Sequence, residues 1–348
     1  MSSTARSTPV DSAAGQPLTI AQIAKRVGVS VATVSKVVNG RSDVAPRTRS
    51  RIESVIQEHG YRRQKKSASP APLIDLLFHA VDGGYAIEIF QGVQRVAAEH
   101  GLAVVVSELR GRPAAGREWV DEVLVRRPTG VIAVFSGATG AQVDQLRVRG
   151  IPFVLLDPTG EPDHSWPSVG AGNWSGGLTA TRHLLDLGHR RVAVITGPED
   201  VLCGRARLDG FRAAMDMAGV PVDPELVRIG DFSHEAGLRH GRELLRLPEP
   251  PTAVFAGNDG QALGLYRAAA EAGLRVPEDL SVVGFDDLYP SQWANPPLTT
   301  VRQPLATMAA TAATMVLDLA AGREPAQTRV ELATELVLRG STAPPAQG

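Results

Sequence analysis

Between Leu73 and Asp287 the chain repeats one pattern eight times: a short apolar run, then a longer stretch with helical spacing. The runs are LIDLLFHA, LAVVVSE, GVIAVFS, IPFVLLD, RVAVITG, LVRIGDF, TAVFAGND and LSVVGFDD. Between the first two, for example, Ile89, Val93, Val96 and Ala97 fall on one helical face. Runs that are apolar on both faces, alternating with amphipathic helices, are the pattern of parallel strands covered by crossover helices. Two sets of about four units predict two doubly wound lobes. In such sheets a ligand sits beyond the carboxyl ends of the strands, so the cleft between the lobes is a natural small-molecule site.

The segment before this body is different in kind. The net charge of −1 conceals an asymmetry. From Thr19 to Lys66 there are eleven Lys and Arg against three Asp and Glu, or +8, whereas Ser67 to the end carries −9. All four lysines, Lys25, Lys36, Lys65 and Lys66, lie in the basic segment. A small basic head on an acidic body points to nucleic acid as the partner of the head.

The head reads as three helices. Thr19 with Gln22 is a capping box opening a helix over Ile20 to Val27, and Gly28 stops it. Ser30 caps a second helix from Val31 to about Val38, with Val34, Val37 and Val38 at core spacing and Asn39-Gly40 at its end. Pro46 suits the first turn of a third helix, whose stripe is Ile52, Val55 and Ile56 and whose stop is Gly60. Two short helices joined by a glycine turn, with a third in support, make a helix-turn-helix. Thr33, Ser35, Lys36 and Asn39 on the second helix then face phosphates or base edges, and Val31 and Ala32 at its start meet a thymine methyl.

Several classes are excluded at this level. No apolar run approaches the roughly 18 residues needed to span a bilayer, and the N-terminus lacks the apolar core of a secretory signal. The single cysteine, Cys203, forbids an intrachain disulfide, and a reduced, cytoplasmic setting is the expectation. There is no GxSxG, HExxH, P-loop, or G-x-G-x-x-G after a strand, so an enzyme is not expected, nor any cofactor or metal.

The segment LTIAQIAKRVGVSVATVSKVVNG followed by RSDVAPRTRSRIESVIQEHGYR resembles the DNA-binding head of the lactose/galactose repressor (LacI/GalR) family. The resemblance extends along most of the chain, through PPLTTVRQP and TELVLRGSTAPP. It implies an all-α helix-turn-helix head on an α/β body like a periplasmic binding protein. It also implies a homodimer on a pseudo-palindromic, double-stranded operator, no membrane association, and a transcription regulator, a repressor, controlled by a small-molecule effector; the alternative function is a sugar-binding protein of the periplasmic type without a gene-regulatory role. The DNA-binding residues implied are Thr19, Ser30, Val31, Ala32, Thr33, Ser35, Lys36, Asn39 and Arg47. The linker RRQKKSASPAP departs from the family's hinge, being shorter and without its minor-groove Leu, so Arg62 and Arg63, with Lys65 and Lys66, are expected to act as a basic arm on the phosphates or in the minor groove.

For the body, the resemblance places Arg207, Asn258 and Asp286 at positions that contact effector in the family, with Phe232 as the aromatic against the ligand ring and Tyr85 and Asp157 as further positions. Arg205, beside Arg207, and Trp293, at the cleft mouth, complete the expected set. An Arg fork and carboxylates each engage vicinal hydroxyls, and a flat ring covers the C–H face of a sugar. The expected effector is a sugar or short oligosaccharide; a purine is the alternative, weakened by Val201 and Cys203 where purine-responsive members carry Arg and Thr. Judged singly, Asp259 is as readily a helix cap, Phe232 as readily core, and Arg207 can pair internally with an acid. The expected domains are a disordered tail (1–18), the head (19–61), a linker (62–72), a first lobe (73–172 and about 301–324), a second lobe (173–300 and about 325–340) and a second tail (341–348).

Overall fold

The computed structural model describes residues 18–38, 40–41, 44–59, 70–81, 83–109, 118–135, 138–160 and 165–346. It separates into two compact units, residues 1–69 and residues 70–348. Asn39, Arg62, Arg63, Lys65 and Lys66 lie outside the described residues, and with them the expected basic arm.

The first unit holds α1 (Ile20–Val27), α2 (Val31–Val38) and α3 (Pro46–His59). Thr19 and Gln22 close the capping box, with the Gln22 backbone N–H donating to the Thr19 hydroxyl at 3.3 Å and Thr19 N–H donating to Gln22 Oε1 at 2.8 Å. Gly28 ends α1 in the left-handed region at φ 72°, which lets the chain reverse into α2. Ile23, Ala24, Val27, Val34, Val37, Val44 and Ile52 form one core, with Val38, Val55 and Ile56 packed at its margin. Arg51 in α3 ties the helices together by donating to the Val27 carbonyl at 3.0 Å.

The second unit contains two sheets. In chain order its first part is β1 (Ala71–Phe78), α4 (Gly83–Glu99), β2 (Ala103–Glu108), α5 (Glu118–Arg126), β3 (Pro128–Val134), α6 (Gly140–Val148), β4 (Phe153–Leu156) and β5 (Ser168–Ala171). There follow α7 (Asn173–Asp186), β6 (Val192–Thr196), α8 (Leu202–Met217), β7 (Val227–Ile229), α9 (His234–Leu244), β8 (Ala253–Ala256), α10 (Asp259–Glu271) and β9 (Ser281–Asp286). The chain closes with α11 (Tyr289–Trp293), β10 (Thr299–Arg302), α12 (Leu305–Ala320), β11 (Arg329–Leu332) and β12 (Glu335–Val337). The sheet orders are β11-β5-β4-β3-β1-β2 and β12-β10-β9-β8-β6-β7. Every pairing is parallel except β12 with β10. Both orders reverse direction between the first and third strands of their lobe, the switch point at which such sheets open a crevice.

All eight apolar runs form strands, and β5, β10, β11 and β12 are added to them. The lobe boundaries differ from expectation in three places. β11 pairs with β5 in the first sheet, not with the second lobe to which 325–340 was assigned; only β12 belongs there. Val301 and Arg302 belong to β10 of the second sheet, so the passage into the first lobe begins at Gln303. Residues 341–343 are not a loose tail: Ser341 is buried, donates to the Val282 carbonyl at 2.6 Å and accepts the Thr299 N–H at 2.8 Å. β1 also begins at Ala71, two residues before the expected start of the first lobe. α12 packs into the first lobe, with Met308, Ala309, Ala312 and Val316 in the same core as Ile74, Ile89 and Val93.

Candidate functional site

The cleft is built from strand ends. Phe135 follows β3, Asp157 follows β4, Phe232 lies in the loop after β7, Asp286 ends β9 and Asp287 follows it. All five hold left-handed backbone, at φ 49°, 51°, 66°, 108° and 59° respectively. Such strain in residues with a Cβ gathers where a fold positions side chains for a ligand.

Arg207 is the centre of the arrangement. It lies on the inner face of α8 and is buried. Its Nε donates to Asn173 Oδ1 at 2.9 Å, its Nη1 donates to the Gly257 carbonyl at 2.6 Å, and the same Nη1 lies 3.5 Å from Asp286 Oδ1. The guanidinium sits 3.8 Å from the Phe285 ring centroid and 5.6 Å from that of Phe232. Gly177 on α7 makes this placement possible, because a Cβ there would collide with the Arg207 backbone. The internal partner foreseen for Arg207 is thus real, and it is Asp286.

Across the cleft the Tyr85 hydroxyl donates to Asp157 Oδ2 at 3.0 Å. Phe135 of the first lobe meets Phe232 of the second edge-to-face, with centroids 6.3 Å apart. Leu202 N–H donates to the Thr159 carbonyl at 2.6 Å, which also joins the lobes. Gly197 seats the Phe232 ring, since a Cβ there would fall inside it. Asn258, not Asp259, caps α10: its Oδ1 accepts the Gln261 N–H at 2.9 Å while its Nδ2 donates to the Phe232 carbonyl at 3.0 Å, holding that backbone in its left-handed turn. Asp259 instead braces the loop behind, accepting Leu288 N–H at 2.7 Å and Thr300 Oγ1–H at 2.6 Å.

The electrostatics follow from two buried carboxylates around one buried guanidinium. Burial pushes the Asp286 carboxyl up to about 6, against the lowering pull of Arg207 and the Gln303 hydrogen bond. Asp157 is raised by burial too, with Arg207 and the Tyr85 hydroxyl opposing. The Tyr85 phenol is raised far above its ordinary value by burial and by Asp157. The Cys203 thiol, raised by burial and then by Asp157, reaches about 12 and is an inert filler at the start of α8. The site is therefore rich in acceptors, which suits a ligand with several hydroxyl donors.

Arg205 and Trp293 are not brought to this cluster. Two residues of helix separate Arg205 from Arg207 by roughly 200° of rotation, and Arg205 faces solvent. Trp293 is 68% exposed on α11, stacked on Tyr289. Phe135, Asn173 and Gln303 were missed. Phe135 ends an apolar run whose last residue reads as core, Asn173 opens a helix and reads as a cap, and Gln303 stands before Pro304 in a segment without period.

In the head, Val31 is 52% exposed and Ala32 is exposed beside it, so the apolar start of α2 faces outward. Ser30 caps α2, accepting Thr33 N–H at 3.1 Å, and its hydroxyl lies 2.8 Å from that of Thr33. Ser35 is half-buried and Lys36 exposed on the same helix, and Arg47 is exposed near the start of α3. The Thr19 hydroxyl is engaged by its own cap.

Residues 19–64 match the family described as "Bacterial regulatory proteins, lacI family", and residues 181–342 match a "Periplasmic binding protein-like domain". The HTH-type transcriptional repressor CytR of Escherichia coli (strain K12) is 32% identical over 331 residues, covering 93% of this chain and 96% of CytR. The chain belongs to the lacI family. Among solved structures, the complex of the transcriptional regulator CelR with cellobiose has a TM-score of 0.72 at 32% identity, covering 93% of this chain and 99% of that one. The lac repressor dimer, bound to operator and the anti-inducer ONPF, has a TM-score of 0.70 at 29% identity, covering 94% and 100%. These lacI-family relatives are transcription regulators rather than enzymes, and no helix among the described residues is long and apolar enough to cross a membrane.

Proposed function

We propose that this protein is a cytoplasmic, non-catalytic repressor of transcription whose operator binding is set by a sugar or short oligosaccharide in the cleft. Two heads, one from each protomer of a homodimer, read half-sites about 34–36 Å apart if they enter consecutive major grooves. The lac repressor dimer on its operator supports that assembly, and the CelR–cellobiose complex supports a saccharide. Val31 and Ala32 contact thymine methyls, Thr33 and Asn39 read base edges, and Ser30, Ser35, Lys36, Arg47, Arg62 and Arg63 engage phosphates.

One observation carries the effector reading: buried Arg207, fixed by Asn173, Gly257 and Asp286, faces the Tyr85–Asp157 pair of the opposite lobe over aromatic rings. Groups arranged in this way grip a polyhydroxylated ring from both lobes, and effector binding shifts the population between lobe arrangements. Phe232 covers one ring face, with Asn258 holding its backbone.

A thermal-shift screen against saccharides, nucleosides and purines, repeated with operator DNA, identifies the class. Arg207→Ala and Asp286→Ala are expected to abolish the ligand response while operator binding stays near wild type; Tyr85→Phe is expected to weaken the response without disturbing the fold. Wild-type ligand affinity in either alanine variant would overturn the site.

A further inference from the structure

Among the described residues the chain passes between the lobes three times: at Gly172 before α7, at Gln303-Pro304 before α12, and at Ala333-Thr334 between β11 and β12. Side chains on these passages are bonded to one another and to the cleft. The Thr334 hydroxyl donates to the Gly172 carbonyl at 3.3 Å, and Gly172 N–H donates to the Leu332 carbonyl at 2.9 Å, which joins the third passage to the first. Arg302 donates to Asp287 at 2.7 Å and lies 3.5 Å from Glu335, which joins the second to the third. Asn173, just past the first passage, holds Arg207.

Gln303 completes this ring. It is buried, and it grips Asp286 twice: its backbone N–H donates to the Asp286 carbonyl at 3.3 Å and its Nε2 donates to Asp286 Oδ1 at 2.7 Å. Two residues later α12 begins, and its first residue, Leu305, is core of the first lobe. Among the described residues Gln303 Oε1 is buried with no hydrogen-bond partner, an uncommon and unfavourable state for an amide oxygen.

We propose that Gln303 is a positioning residue that couples the state of Asp286 in the cleft to the angle between the lobes. The inference rests on the cleft being the effector site and adds how its contents are sensed. While Asp286 is ionised, Gln303 donates to it and leaves Oε1 without a donor. When Asp286 carries a proton, its O–H donates to Oε1 after a half-turn of the amide, and Nε2 takes the buried position that Oε1 leaves. Gln303 lies two residues before α12, so this change of bonding is made on the main chain that leads into the first lobe.

The groups facing Asp286 make its proton sensitive to closure. Arg207 and Cys203 come from α8, Tyr85 from α4, Asp157 from the end of β4, and Asp259 from α10. Neighbouring Asp287 is neutralised by Arg302 and by Arg339, which donates to it at 2.5 Å. In this arrangement Asp157 of the first lobe raises the Asp286 carboxyl of the second, so lobes held together favour a proton on Asp286 more than lobes apart. The raised Asp286 value of about 6 accords with this.

The test needs no effector. Exposed Arg147 on α6 and Met217 on α8 are changed to cysteine in the full chain and labelled for energy transfer; buried Cys203 stays unlabelled. The distance between lobes is followed as pH falls from about 8 to about 5, with the Asp286 carboxyl titrated by carbon NMR in parallel. In the wild type the distance is expected to shorten through the Asp286 titration, and in Asp286→Asn to be constant. Gln303→Leu is expected to keep a titrating Asp286 but lose the distance change, and the exchanged pair Gln303→Glu with Asp286→Asn is expected to restore it. A wild-type distance response in Gln303→Leu, or no response in the wild type, would overturn the proposal. Neither outcome touches the effector reading, which stands or falls on the ligand screen.

Discussion

Phe232 shows how much of the cleft is decided one residue at a time. Its left-handed backbone is held by Asn258, its ring rests on Gly197, and its edge meets Phe135 from the other lobe. Gly197→Ala should therefore displace the ring at a cost of about 1–3 kcal/mol, read by chemical denaturation, and should weaken effector binding more than a distant change of equal cost. Cys203, buried with its thiol pushed up to about 12, should resist alkylation in the native protein at mildly alkaline pH and react once unfolded, as mass spectrometry would show. At this scale the sequence was legible where residue chemistry is unusual, as with an arginine and aspartates at strand ends. It was not legible where helix phase decides: Arg205 and Arg207 look alike in one dimension and face opposite ways.

The elements were legible in proportion to their apolar continuity. Runs such as VAVIT and AVFA are buried along their whole length and have no alternative to a central strand. β5, β10, β11 and β12 carry only three or four residues each, SVGA, TTVR, RVEL and ELV, with polar or small side chains that signal no period. Their strand form comes from neighbours already in place, which is why the lobe boundaries after Val301 were misread. In the head, by contrast, caps mark both ends of α1 and the start of α2. Gly28→Ala forces a Cβ into left-handed backbone and should cost roughly 1–2 kcal/mol, and Thr19→Ala roughly 0.5–2 kcal/mol; both are measurable as a lowered midpoint of the head's unfolding transition.

The whole molecule carries two opposed pH dependences. The folded Asp286 value of about 6 lies above its ordinary 3.8, so its contribution to stability declines as pH rises between those values. His189 and His183 are lowered by burial below the ordinary 6.5, so their contribution is present above 6.5 and is lost as pH falls from there through the lower folded values. His189 Nε2–H donates to the Ala343 carbonyl at 2.9 Å, and its Nδ1 lies 2.9 Å from Thr252 Oγ1. Denaturation of Asp286→Asn and wild type side by side should show a stability difference that grows in favour of the variant from about pH 4 to above 6 and then levels. Truncation after Gly340 removes the Ser341 and Ala343 bonds to β9 and should lower the thermal midpoint of the second lobe while the head's own transition is unchanged.

The threefold passage between the lobes also orders events during synthesis. The head is complete once α3 has been made, whereas the first lobe waits for α12 and β11, which are translated after nearly all of the second lobe. A nascent chain thus carries a finished DNA reader long before it carries a body able to govern it. A ribosome stalled late in the message would hold a head that no effector controls.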